Sequence, residues 1–186
     1  SSGTRFWCAL GTAAHPVPPG PIFLSDGFNR AALGSAWTVR SGGVTIDTNA
    51  AKGTSISNPN VATNNTRLSS QSQRVGYRAA NNFSSNGIFL RGNGSGPRVE
   101  LFVSYSASGS PTRNVYIRTL TSYTSASVTI RATLSGPSSI KGDWTFDAIG
   151  NTYTAYRNGA SVLQWIDSGG AFAYGSSNTE VGMRPG

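Results

Sequence analysis

At 186 residues with a single cysteine, Cys8, the chain is long enough for one domain with a real hydrophobic core and too short for two, and no intrachain disulfide can staple it. Only 12% of residues are charged, and Ser, Thr, Asn and Gly fill much of the remainder, which excludes a helical enzyme built on periodic Ala, Glu, Lys and Leu. The net charge of +8 is spread as single residues such as Arg30, Arg67, Arg91 and Arg131, with no run that would neutralise adjacent phosphates, and no stretch of about 18 apolar residues predicts a membrane span.

Residues 1–21 read as an extended arm with a proline-rich linker, and 22–186 as the domain. Arg5, Phe6, Trp7 and Leu10 belong to a short apolar knot without periodic continuation, and Pro16, Pro18, Pro19 and Pro21 favour a stiff polyproline II spacer. Such a segment buries itself either on a neighbouring molecule, as a particle anchor would, or back along its own domain.

From Ile22 onward, short apolar alternations are punctuated by Gly, Asn, Ser and Pro, the pattern of an all-β, two-sheet antiparallel β-sandwich. Strands are expected at Ala36–Arg40, Val44–Asp47, Gly53–Ser57, Arg74–Ala79, Gly87–Arg91, Arg98–Tyr105 and Asn114–Leu120. The polar stretches Asn58–Asn65 and Ser69–Gln73 read as surface loops, and Gly92–Gly96 and Ser106–Ser110 as turns. In Ser127–Leu134, Val128, Ile130, Ala132 and Leu134 alternate with polar residues and so predict one buried and one wet face. A closing meander runs through Trp144–Ile149, Tyr153–Arg157, Ser161–Asp167 and Glu180–Arg184. Its sharpest signal is Asn158-Gly159, the pair best able to hold φ > 0 at both centres of a type I′ hairpin turn.

The chemistry is sparse. His15 is the only histidine and sits in the proline linker, which removes Ser-His-Asp, Cys-His and histidine-zinc machinery. Neither glutamate has a carboxylate neighbour on its own strand, and Asp143 and Asp147 sit near turn residues, where Asp caps backbone. The reading is therefore of no enzyme, no catalytic residue and no cofactor; calcium held by Asp and carbonyl oxygens is the remaining metal option. Aromatics carry more promise, because sugars stack apolar C–H faces on Tyr while Arg and Asn bond their hydroxyls. On that ground Asn114, Tyr116 and Arg118, on one face of a strand, and Tyr156 and Asn158, on one face of the hairpin, are the candidate carbohydrate-binding residues.

The segment Asp26-Gly27-Phe28-Asn29-Arg30 through Leu33-Gly34 to Trp37 resembles the opening of concanavalin A-like (laminin G/jelly-roll) domains of minor tail and other virion proteins of phages infecting high-GC Gram-positive bacteria. Tyr153–Gly159, Trp165, Ser168-Gly169-Gly170 and Val181–Arg184 are similar to the same family's closing hairpin and penultimate strand. The resemblance implies a jelly-roll sandwich on the virion surface, outside the cell. It further implies a bacterial cell-surface glycan as partner; taken with the apolar knot and proline spacer, the expectation is of attachment to other virion proteins through the arm and of a homo-oligomer. The family's glycosidases carry two glutamates bracketing an aspartate on one strand, whereas Arg98–Tyr105 has only Glu100. The alternatives are a purely structural capsid-decorating or tail-stabilising subunit and a glycan-cleaving enzyme.

Overall fold

The computed structural model describes residues 5–8 and 24–186, apart from 48–49, 56–57, 69–70, 80–84, 108–111, 125–126, 174 and 176. Fifteen strands are present among them: β1 Arg5–Cys8, β2 Leu24–Asp26, β3 Trp37–Ser41, β4 Val44–Ile46, β5 Ala51–Gly53, β6 Val61–Asn64, β7 Ser72–Ala79 and β8 Asn86–Gly92; then β9 Arg98–Ser106, β10 Thr112–Leu120, β11 Val128–Ser135, β12 Gly142–Ile149, β13 Thr152–Arg157, β14 Ala160–Ile166 and β15 Glu180–Arg184. Every ladder is antiparallel. A six-stranded sheet in the order β14-β13-β12-β7-β1-β2 packs on a seven-stranded sheet in the order β11-β10-β9-β8-β15-β6-β3, with β4-β5 as a separate ribbon. This is the expected two-sheet antiparallel jelly-roll sandwich.

Alternation along the strands builds the core. Val75 and Tyr77 of β7, Trp144 and Phe146 of β12, and Tyr153 and Ala155 of β13 face Ile88 and Leu90 of β8, Val99 and Leu101 of β9, and Val115 and Ile117 of β10. Each of the Val, Leu, Ile and Phe side chains removed from water contributes about 1.5–3 kcal/mol. The polar ends of two large rings are satisfied, since Trp144 Nε1 donates to the Ile140 carbonyl at 2.8 Å and Tyr153 Oη to the Phe172 carbonyl at 2.6 Å. Asn158 and Gly159 have φ of 50° and 83°, both positive as a type I′ turn requires.

The Asp26–Trp37 segment is a clip. Asp26 Oδ1 accepts from the Phe28 amide and from Arg30 Nη1, both at 2.8 Å; Oδ2 accepts from Arg30 Nη2 at 2.6 Å and Trp37 Nε1 at 2.7 Å. Phe28, fully buried at φ 51°, lies 5.8 Å from the Trp37 ring and under the Arg30 guanidinium. One carboxylate thus ties the loop after β2 to the start of β3. Burial pushes the Asp26 carboxyl up, but the bonds from Arg30, the Phe28 amide and Trp37 outweigh it and hold the group below its ordinary 3.8.

Four expectations are corrected. Asn58–Asn65 is not a surface loop: Val61–Asn64 is the buried strand β6 between β15 and β3. Ser72 and Gln73 begin β7 rather than ending a loop. In β11 the register slips between Ile117 and Arg118 of its partner, placing Ile130 opposite Arg118 and Ala132 opposite Ile117. A bulge at Arg131 therefore moves Val128 and Ile130 off the core face, and they are 41% and 48% exposed. Asp143 and Asp147 cap no turn but pair across strands with Arg78 and Arg74 of β7. As for the arm, β1 runs between β7 and β2, so the backbone of Arg5, Phe6 and Trp7 joins the six-stranded sheet. Leu10 and the proline linker fall outside the described residues.

Two outcomes follow for stability. A Cβ on Gly182 would stand 2.3 Å from both the Ala62 carbonyl oxygen and Phe89 Cζ, so Gly182→Ala should cost about 1–3 kcal/mol in urea unfolding. Asp26→Asn should cost about 1–3 kcal/mol at pH 7. Because the folded Asp26 carboxyl is depressed, its contribution is full above the unfolded value and fades as pH falls through the folded one. The gap between wild type and Asp26→Asn should therefore narrow below about pH 4 in a pH series of unfolding curves.

Candidate functional site

The chemistry-bearing side chains gather on the outer face of the seven-stranded sheet. Strand register sets them in two rows. Thr133 of β11, Tyr116 of β10, Phe102 of β9, Gly87 of β8 and Arg184 of β15 form one. Arg118, Glu100, Phe89, Gly182 and Thr63 form the next. Residues opposite one another share a face, so each row is continuous across the sheet; in the first Thr133 is exposed, Tyr116 and Arg184 are half-buried and Phe102 and Gly87 are buried, whereas the second is buried throughout.

Glu100 is fully buried on this face. Arg118 Nε donates to Glu100 Oε2 at 3.0 Å and Nη2 lies 3.0 Å from the same oxygen, leaving Oε1 without a hydrogen bond. Room for the carboxylate comes from Gly87, where a Cβ would stand 2.4 Å from Oε1. The Arg118 guanidinium carbon also sits 3.6 Å from the Phe102 ring centroid, and that of Arg184 lies 4.8 Å from the same ring. Arg184 makes no ion pair or hydrogen bond among the described residues. Burial weakens its hold on its proton, an effect that Glu100 counters and Arg118 and Arg98 reinforce.

A second carboxylate organises the far end. Glu180, also fully buried, takes Arg40 Nη2 at 3.1 Å and Arg67 Nη1 at 3.0 Å on Oε1, and the Tyr123 hydroxyl on Oε2. Burial and that hydrogen bond push the Tyr123 phenol up. Arg98 joins the two centres: it is fully buried, lies over the Phe89 and Tyr123 rings, and donates Nη1 to the carbonyls of Gly96 and Ser122 at 3.0 and 2.8 Å. Its Nε and Nη2 have no hydrogen-bond partner, and burial depresses its pKa.

The five residues expected to bind carbohydrate are split. Asn114, Tyr116 and Arg118 share the outer face of β10, with Asn114 and Tyr116 half-buried and Arg118 held by Glu100. Tyr156 and Asn158 belong to the other sheet. Tyr156 lies under the Arg74 guanidinium, which is paired with Asp147. Asn158 Oδ1 accepts from the Asp143 amide at 2.9 Å and packs where a Cβ on Gly142 would stand, so it fastens the hairpin to β12. Sequence reasoning missed Arg98, Phe102, Arg184 and Glu180 as members of one face. A faint signal was present, since Arg98, Glu100, Phe102 and Ser104 alternate with the core residues Val99, Leu101 and Val103. Among the described residues, no group of three or more His, Cys, Asp or Glu could hold a metal ion.

No protein-family model and no curated protein matches the chain. Among solved structures it is similar to sheep galectin-11 in complex with glycerol, at 16% identity and a TM-score of 0.42, over 70% of this chain and 92% of that one.

Glu100 faces three guanidinium groups while Arg118 faces one carboxylate, which orders the costs of removing them. Glu100→Gln should lower stability by about 3–5 kcal/mol, as loss of one partner of a buried pair does. Arg118→Met should cost less, because Arg98 and Arg184 still counter the Glu100 charge. Urea unfolding of the two variants reads the order directly.

Proposed function

We propose that the domain is a non-enzymatic carbohydrate-binding module that uses the outer face of the seven-stranded sheet. The observation that carries this reading is the strip Tyr116–Phe102–Arg184, in which a half-buried phenol ring stands beside Arg118 and Asn114. A ring presents a stacking surface to the C–H face of a sugar, and fixed guanidinium and amide groups beside it bond hydroxyls. Glu100 suits a scaffold role better than an acid–base role, since it has no exposed surface and is spent on Arg118.

The setting we propose is the surface of a phage particle, with the host cell wall supplying the glycan. It is supported by the Asp26–Trp37 resemblance to virion domains. Many copies on one particle would make weak single sites sufficient through avidity. A second reading, that of a subunit whose sheet edge meets neighbours, draws on the exposed Val128 and Ile130 of the edge strand β11.

Calorimetric titration with cell-wall polysaccharides of high-GC Gram-positive bacteria tests the binding reading. Tyr116→Ala should weaken binding about tenfold, the loss of roughly 1.4 kcal/mol of stacking. Tyr156→Ala, on the opposite sheet, should leave it unchanged. The reverse pattern would move the site to the six-stranded sheet, and no saturable binding to any glycan would favour the structural subunit.

A further inference from the structure

Resting on the carbohydrate reading of this face, we propose that the ligand is an anionic saccharide, whose carboxylate, sulfate or phosphate group is taken by Arg184 beside Phe102. Arg40, Arg67, Arg98, Arg118 and Arg184 meet only Glu100 and Glu180, so guanidinium exceeds carboxylate by three. Two of those cations are incompletely satisfied. Arg98 is fully buried with Nε and Nη2 lacking any partner, and Arg184 has neither carboxylate nor carbonyl within bonding distance among the described residues.

A folded protein gains nothing by pressing unpaired like charges together, since burial and mutual repulsion both penalise them. An oxyanion at Arg184 would supply the missing counter-charge, and guanidinium suits it because its planar fork can donate two bonds to a carboxylate, sulfate or phosphate. The position also fits a saccharide. Arg184 and Tyr116 stand three ladder spacings apart along the Phe102 strip, about 14 Å from strand to strand, so an oligosaccharide can rest one ring on Tyr116 while the acidic group of a neighbouring sugar reaches Arg184. A nucleic acid is the other polyanion such a surface admits. It is disfavoured because the arginines are folded into one sheet face, stacked on rings and bonded to carbonyls, instead of forming an open stripe that tracks a backbone.

The test is direct binding of the full chain to immobilised dextran, polygalacturonate, dextran sulfate, wall teichoic acid and a duplex oligonucleotide, at about 50 and 200 mM salt. At least one acidic saccharide should bind about tenfold or more tighter than dextran, and which arm wins names the oxyanion. Arg184→Gln should remove that preference, and Tyr116→Ala should weaken neutral and acidic saccharides alike. Arg184→Gln should also melt no lower than wild type, which shows that the lost preference is not lost folding. Equal binding of neutral and acidic saccharides, with Arg184→Gln matching wild type, overturns the anion inference while the carbohydrate reading stands. Acidic binding that Arg184→Gln leaves intact, or tighter binding of the oligonucleotide, overturns it in favour of a general basic surface. No saccharide binding in any arm overturns both readings.

Discussion

Two carboxylates without exposed surface, Glu100 and Glu180, are the constraint around which the outer face is arranged. A sheet face covered with arginine would repel itself. Here each carboxylate gathers guanidinium groups into fixed positions, Arg118 on Glu100 and Arg40 with Arg67 on Glu180. Burying a carboxylate is costly and is tolerated only where donors surround it. The donors are in turn held by rings: Phe102 under Arg118 and Arg184, and Phe89 with Tyr123 about Arg98. Charge, ring and carboxylate are therefore one layer, and removing any of the three loosens the other two.

The layer fits onto the sheet because the strands beneath it lack side chains at two positions. Gly87 leaves space for Glu100, and Gly182 leaves space for Phe89, whose ring would otherwise meet a Cβ at 2.3 Å. Both strands, β8 and β15, occupy the middle of the sheet, where neither edge nor loop can absorb a displaced side chain. The polar layer thus rests on backbone, which holds positions more firmly than a bed of mobile side chains would.

What could be read in the sequence was local. Asn158-Gly159 was legible because type I′ geometry demands positive φ at both centres, and the faces of β10 were legible because Val115 and Ile117 alternate with Tyr116 and Arg118. Strand β6 was not, since Val61–Asn64 carries two polar residues in a polar neighbourhood. Its burial comes from the strands on either side and from Thr63 Oγ1 accepting Arg40 Nε at 2.9 Å. The bulge at Arg131 was invisible for the same reason, because a register slip belongs to a pair of strands and not to either alone. The split of Tyr116 from Tyr156 shows the limit for the site. Each was correctly placed on the outer side of its own strand, yet β10 and β13 belong to different sheets, and nothing within a strand reports which sheet it joins.

The preference for arginine, with Lys52 and Lys141 the only lysines, acquires a physical meaning on this face. An ammonium is a compact, strongly hydrated charge and would abandon an apolar ring for water. A guanidinium can lie against Phe102 at 3.6 Å and still direct an edge at Glu100, so two cations share one ring while facing different partners. Arg118 is committed to that internal partner and Arg184 is not, although the two stack on the same side chain. A layer that neutralised itself completely would be the more stable arrangement; one that leaves a single guanidinium uncommitted at the end of an aromatic strip keeps a place where an outside charge completes it.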